Sequence, residues 1–286
     1  MQLQHIIAAT DESEAGRWVA RTALELARGS ARVSLLRVAS IRPAGVLAGI
    51  VQGPDPGNMP ESGPEMGRFR QWVVPDVLRD DEAAAVQLKV AFGIPAIEIC
   101  RYAEQAGGDL LVLGRKRRSQ GTRLLLGDTA DAVARRSRLP CLFVPAELGG
   151  LQRILVALDG SDRGMNVLDQ ACGFARSVGG SVQAVTVEQG PVDEPWNLAA
   201  NLPVAKSSHL QGVVRRVLAR EGLPEKPIII RRGNVPGTIL ATAREMESDV
   251  LAIGYHRGGP AGFIETGSTA RRLTHAAPCA VLTIPL

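Results

Sequence analysis

Near the end of the chain, Gly254-Tyr255-His256-Arg257-Gly258-Gly259 leads, thirteen positions after Gly254, to Gly267-Ser268-Thr269. Residues of these types at this spacing suit an anion. Glycines let the backbone come close to an oxygen-rich group, and the unpaired amides at a helix start add donors and a partial positive charge. Each helix-end charge effect is worth only about 0.3–1 kcal/mol when exposed, so a phosphate also needs several amide and side-chain bonds. Ser268, Thr269 and Arg257 are the side chains that could supply them. The flanking elements fit the task. Val250-Leu251-Ala252-Ile253 is short, β-branched and closed by glycine, which reads as a buried parallel strand whose last residue is Ile253. Beyond Gly267, Ser268 and Thr269 precede Ala270, Leu273 and Ala277 at helical spacing, which reads as a capped helix.

The rest of the chain alternates strands and helices twice. In the first half, His5 to Thr10 reads as a strand ending at Asp11, and Ser13 to Arg28 as a helix with Trp18, Ala20, Ala23, Leu24 and Ala27 on its apolar face. Val33 to Val38 is a second strand. Pro43 to Gly67 is rich in Gly, Pro, Asn and Ser and predicts a long excursion, and Pro75 argues against a regular helix between Phe69 and Ala85. Val86 to Phe92 is a third strand, Ala96 to Gln105 a helix and Leu110 to Leu113 a fourth strand. An Arg-rich loop then leads to a helix beginning near Gly127, and Cys141 to Val144 is the last strand.

The same order returns in Arg153 to Leu158 with Asp159-Gly160-Ser161, Met165 to Ser177, Val182 to Val187, Ala205 to Glu221, Pro227 to Ile230, Pro236 to Met246, Val250 to Ile253 and Ala280 to Ile284. Gly190 to Leu202 is its variable connection. Gly114 and Gly127 repeat the thirteen-residue spacing of Gly254 and Gly267. Two domains follow, 1–146 and 151–286. The halves are joined by the seven residues Ala146 to Gln152, which reach at most about 25 Å, so close packing of the two is expected. Strands separated by helices imply parallel sheets covered on both faces. The last strand of each unit is so apolar that an exposed edge would aggregate, and pairing Leu142 to Val144 with Ala280 to Ile284 is the expected cover.

Composition narrows the function classes. The 286 residues suffice for two cores, and hydrophobic content of 45% with 22% charged residues is that of a globular protein. Aromatics at 3% argue against stacking platforms for single-stranded nucleic acid. A net charge of +4 shared between the halves is weak support for polyanion binding. Cys100, Cys141, Cys172 and Cys279 lack metal-ligand spacing, and with no secretory signal the expectation is reduced thiols in a cytoplasm. No apolar stretch approaches the roughly 20 residues that span a bilayer. There is no Walker A pattern, no Gly-x-Gly-x-x-Gly after a first strand, and no convincing pairing of base and nucleophile.

The plan resembles the universal stress protein family in tandem form. Four features carry the resemblance: Asp159-Gly160-Ser161 after a strand, the strand-final Val187, the Gly254 to Gly267-Ser268 spacing, and Ala277-Pro278-Cys279 before the last strand. The resemblance implies an α/β fold of two doubly wound five-stranded parallel sheets, Rossmann-like, paired through their last strands as a pseudo-dimer. It also implies ATP, with or without Mg, in the crevice outside strands one and four, where ligands sit in such sheets. Asp159 would meet the adenosine, Val187 would offer backbone groups to the adenine, and Gly254, Gly267, Ser268 and Thr269 would cradle the phosphates.

The sequence departs from the family pattern at Arg257, which stands where a second glycine belongs. Arginine cannot allow the same backbone approach, yet it could form charge-assisted bonds to phosphate. In the first half Arg117 replaces the same glycine, and Asp128 follows Gly127 in place of Ser or Thr. A carboxylate there would cap the helix amides itself and repel phosphate, so the first site is expected to be degraded unless Arg115, Lys116, Arg117 and Arg118 outweigh the acid. Plainer readings stand beside these. Asp11 and Asp159 could cap the following helices, Arg115 to Arg118 could be a solvated loop, and Cys141 and Cys279 could serve packing. The resemblance leads to a cytoplasmic, non-catalytic regulator that binds an adenine nucleotide in its second domain, answers to protein partners, and pairs within the chain or as a homodimer. The alternatives are a relative that binds no nucleotide and acts through protein contacts, and a slow ATP hydrolase.

Overall fold

A computed structural model describes residues 1–28, 31–39, 63–76, 86–117, 124–145, 149–188, 204–255 and 268–286. The chain divides into two compact units, Leu3–Glu147 and Leu148–Leu286, with Met1–Gln2 belonging to the latter.

The first unit runs β1 (His5–Thr10), α1 (Glu14–Leu26), β2 (Arg32–Ala39), α2 (Pro64–Asp76), β3 (Val86–Phe92), α3 (Pro95–Gln105), β4 (Leu110–Arg117), β5 (Leu124–Leu125), α4 (Asp128–Arg136) and β6 (Cys141–Pro145). Its sheet order is β3-β2-β1-β4-β6, all parallel. The second unit runs β7 (Arg153–Leu158), α5 (Asp162–Ser177), β8 (Ser181–Glu188), α6 (Val204–Arg220), β9 (Ile229–Arg232), α7 (Val235–Glu245), β10 (Val250–Tyr255), α8 (Ser268–Ala276) and β11 (Ala280–Pro285). Its order is β11-β10-β7-β8-β9, again parallel. Each unit is therefore a doubly wound α/β fold whose strand order reverses beside its first strand, between β1 and β4 or between β7 and β10. Chain direction diverges there, so a crevice opens at the carboxyl ends of the strands.

Burial explains the unbroken apolar strands. Ile6, Ile7, Leu35, Leu36, Leu110 and Leu111 are fully buried, and each such side chain contributes about 1.5–3 kcal/mol by leaving water. Polar strand starts are held by a device that recurs in both units. Asp109 Oδ2 accepts from the amides of Gln4 and His5, each at 2.8 Å. Asp249 Oδ2 accepts from those of Gln152 and Arg153 at 3.1 and 2.9 Å. Burial pushes the Asp249 carboxyl up, but the Arg153 guanidinium and these two amides together hold it below the usual range.

Three expectations are corrected. A helix does occupy Pro64–Asp76, beginning inside the stretch that composition marks as an excursion. Pro64 stands at its first position, where proline costs no hydrogen bond, and Pro75 falls in its last turn. Phe69 and Val73 are wholly buried and the Phe69 ring stacks on Trp72 at 6.0 Å, so tertiary packing fixes the helix. Arg37 of β2 further ties Glu65 of α2 to Glu12, which lies 3.4 Å from its Nε. β4 and β10 extend through Arg117 and Tyr255, so Gly114 and Gly254 are strand residues rather than loop openings. The ninth strand is Ile229–Arg232 rather than Pro227 to Ile230. The predicted connection Gly190 to Leu202 lies outside the described residues.

A buried network closes the amino-terminal end of the first sheet. His5 Nε2 lies 2.8 Å from Ser34 Oγ, His5 Nδ1 lies 3.1 Å from the Ala106 carbonyl oxygen, and Tyr102 Oη donates to Ser34 Oγ at 3.2 Å. Burial lowers the His5 pKa below 6.5, opposed by the Ala106 carbonyl and Asp109 and reinforced by Arg32. A depressed histidine pKa means that the unfolded chain binds the proton more readily. The contribution of His5 is therefore complete above about pH 6.5 and is lost as pH falls below that value towards the folded pKa. Urea unfolding of the first unit should show this decline, and His5→Leu should flatten it while costing about 1–3 kcal/mol for each partner left unsatisfied.

Candidate functional site

The turn after the first strand of each unit is set by one carboxylate. Asp159 Oδ1 accepts from the Ser161 amide at 2.9 Å and from Ser161 Oγ at 2.7 Å, while Ser161 Oγ accepts from the Gly164 amide at 3.1 Å as the N-cap of α5. Asp11, Ser13 and Gly16 repeat the arrangement, with the Gly16 amide donating to Ser13 Oγ at 3.2 Å. The aspartates therefore do not cap the helices; the serines do, and the aspartates hold the serines. Glycine is required at the third position after the serine. A Cβ on Gly16 would sit 2.1 Å from the Asp11 carbonyl oxygen, and one on Gly164 would sit 2.8 Å from Asp159 Oδ1. Gly160 takes φ +78 in its turn, whereas Glu12 at the same place in the first unit does not enter the left-handed region. Oδ2 of each aspartate has no protein hydrogen bond among the described residues, so each carboxylate can hold its serine and still accept from a ligand.

In the second unit Asp159, Val187, Ile253, Gly254 and Thr269 line one cavity of about 360 Å3 at the carboxyl ends of the strands. That volume lies within the usual range of small-molecule sites. Thr186 is the last residue of β8 with a partner on β7, Leu158, so Val187 stands beyond the end of its neighbour, open to the crevice. Ser268 opens α8 and Thr269 follows it in the first turn. Arg257 and Gly267 lie outside the described residues, as does His256.

Sequence reasoning missed the apolar wall formed by Val167, Val235, Ile239, Leu273 and Leu286. Ile239 fell within the helix expected from Pro236, whereas Val235 did not: α7 starts one residue earlier, capped by Asn234, which accepts from the Gly237 amide at 3.2 Å. Leu286 was not. Its amide donates to the Tyr255 carbonyl at 3.2 Å, and its side chain lies over Gly254, where a Cβ would be 2.8 Å from Leu286 Cδ1.

The first unit has a matching cavity of about 400 Å3 lined by Thr10, Asp11, Val38, Gly114, Gly127 and Asp128 among others. Two expectations about it fail. Asp128 does not cap α4: the N-cap is Gly127, no side chain caps it, and Asp128 is exposed at the first helical position. The run from Arg115 is not a solvated loop at its start, because Arg115 is wholly buried on β4. Lys116 and Arg117 pair antiparallel with Leu125 and Leu124 of β5, which draws the place of the absent glycine into a hairpin.

All four cysteines are buried and none is in a disulfide. Burial pushes the Cys100 thiol up to about 11 and that of Cys172 to about 12, which leaves no thiolate for chemistry at either. Among the described residues no group of His, Cys, Asp and Glu could hold a metal ion, and no helix is long and apolar enough to cross a membrane.

The clamp yields a graded prediction. Ser161→Ala should cost about 1 kcal/mol as a lost cap, and Gly16→Ala should cost about 1–3 kcal/mol because backbone must move, both read from denaturant midpoints. Equal stability of Gly16→Ala and the parent would show that the close approach is not a constraint.

Similar proteins agree with this architecture. The pattern of the Universal stress protein family matches residues 2–145 and again 150–285. A universal stress protein from Archaeoglobus fulgidus DSM 4304 is 22% identical, with 100% of this chain and 99% of that one covered and a TM-score of 0.70. A Pseudomonas aeruginosa UCBPP-PA14 structure titled as a universal stress protein is 16% identical, with 99% and 93% covered and a TM-score of 0.70. No curated protein matches the sequence.

Proposed function

Because the chain belongs to the universal stress protein family, we propose that it is a non-catalytic regulator of stress responses that binds an adenine nucleotide, ATP foremost, in the crevice of its second unit. The observation that carries this reading is the convergence of Asp159, Val187, Gly254 and Thr269 on one cavity at the point where the strand order reverses.

Each group has a role suited to its chemistry. Asp159 Oδ2 accepts from a ribose hydroxyl, the aliphatic wall of Val167 and Ile239 receives the base, and the backbone at Val187 gives the base edge its hydrogen bonds. The first amides of α8 and the Thr269 hydroxyl face the phosphates, joined by Ser268 and Gly267, with Arg257 adding charge. Mg accompanies the triphosphate as a counter-ion. The loaded surface then addresses protein partners in the cytoplasm. A second reading, action through protein contacts without nucleotide, draws support from Leu286, whose side chain shares the crevice with Gly254.

Denaturing freshly purified protein and resolving the supernatant by anion exchange should give about one ATP or AMP per chain, and calorimetry with Mg-ATP should show one site. Thr269→Ala should weaken that site about tenfold, about 1.4 kcal/mol, and Gly267→Asp should abolish it. Absence of both bound nucleotide and calorimetric heat would overturn the proposal in favour of the second reading. Phosphate release that scales with protein and disappears in Gly267→Asp would instead mark a slow hydrolase.

A further inference from the structure

The buried network at the amino-terminal end of the first sheet has a direction that one proton can reverse. His5, Ser34 and Tyr102 are all buried, Ser34 fully. The Ala106 carbonyl oxygen, 3.1 Å from His5 Nδ1, can only accept, so Nδ1 carries the ring hydrogen and Nε2 is bare. Nε2 therefore accepts from the Ser34 hydroxyl across 2.8 Å, and Ser34 Oγ accepts from Tyr102 Oη across 3.2 Å. The donors all point one way, from Tyr102 to Ser34 to His5 to Ala106. Burial pushes the Tyr102 hydroxyl up, so it keeps its hydrogen.

A proton arriving at Nε2 meets the Ser34 hydrogen head-on. Ser34 must then turn its hydrogen to Tyr102 Oη, and the Tyr102 hydrogen is stranded, because Ser34 is its one hydrogen-bond partner among the described residues. A stranded buried donor and a buried imidazolium are both costly. Of the charged groups facing the ring, Arg32 of β2 opposes the proton and Asp109, just before β4, favours it. The Asp109 carboxylate is already engaged by the amides of Gln4 and His5. α3 presents Tyr102 and the Ala106 carbonyl, and α1, packed on the same strand, presents no charge that acts on the ring among the described residues.

The strain falls on α3, which reaches from this network to the crevice. Tyr102 and the C-cap Ala106 hold its last turn to the sheet, and Pro95 and Ile99 of its first turns line the first-unit cavity. The second unit has Arg153, Gln183 and Thr242 at the matching places. Arg153 pairs with Glu247 and Asp249, Gln183 donates to the Pro227 carbonyl at 2.6 Å, and Thr242 Oγ1 donates to Thr238 of its own helix at 2.9 Å. No histidine stands there, and arginine keeps its charge.

We infer that the first unit carries an acid-triggered switch: a proton taken up by His5 reverses this chain of hydrogen bonds, frees the end of α3 from the sheet and so loosens one wall of the first-unit crevice, while the second unit holds its shape. Once α3 is released, His5 titrates near its ordinary value of 6.5. Below that value the released state gains up to about tenfold in population for each pH unit, until the folded histidine itself is protonated.

Two measurements on the full chain test this. Ring nitrogen NMR at neutral pH should show His5 protonated at Nδ1 and bare at Nε2; the opposite tautomer overturns the inference. Amide hydrogen exchange, corrected for the intrinsic effect of pH, should show protection at Tyr102 to Ala106 falling about tenfold from about pH 6.5 to about pH 5.5. Protection at Thr242 to Met246 in α7 should hold. His5→Gln should abolish the fall. Protection in α3 that ignores pH, a loss spread equally over α3 and α7, or a fall that survives His5→Gln each overturns the switch. Because α7 is a control within the same chain, the parent protein alone decides the matter if His5→Gln does not fold.

Discussion

In both units the carboxyl end of the sheet depends on a turn held by a single carboxylate. Asp11 or Asp159 leaves its strand, bends back to take the amide and hydroxyl of a serine two residues on, and so fixes that serine as the cap of the next helix. The helix can begin this close only because Gly16 and Gly164 present no Cβ to the turn. The serine and the first helix amide it caps are satisfied locally, and the second carboxylate oxygen takes no part in the turn. The structural role thus occupies only one oxygen of each carboxylate.

Parallel pairing supplies the remaining geometry. Because β1 and β7 lie where the strand order reverses, their neighbours carry the chain away to either side and the space above them stays open. The aspartates at 109 and 249 hold the opposite ends of these central strands by their first amides. Each central strand is therefore tethered at both ends by a carboxylate, one binding backbone and the other organising a cap.

The duplicated units then diverge at their rims. In the second, Leu158 and Leu286 make the wall aliphatic, and Thr269 stands at a helix start. In the first, Thr10, Asp11 and Asp128 make it polar and acidic, and β4 runs on into a hairpin with β5. Small changes of this kind alter the lining of a crevice without touching the core, because the buried strands below, such as Ile6, Leu111, Val156 and Leu251, are indifferent to them.

The repeat, the parallel α/β class, most strands and helices, and the Asp-x-Ser turns were legible in the amino-acid order, because apolar period, caps and glycine placement act over a few residues. The matched aspartates 109 and 249 were equally visible as Asp before an apolar strand in each half, but their purpose was not, since their partners lie about a hundred positions away. Other features required the fold itself. The helix through Pro75 exists because Phe69 and Val73 find a core to enter. Arg115 is buried, Asp128 fails to cap, Thr10 keeps an unpaired hydroxyl and Leu286 lies over Gly254 because non-local neighbours decide which way each points. Local sterics choose the element, but only packing between distant segments sets the direction of a side chain, and at these two crevices that direction separates a largely aliphatic wall from an acidic one.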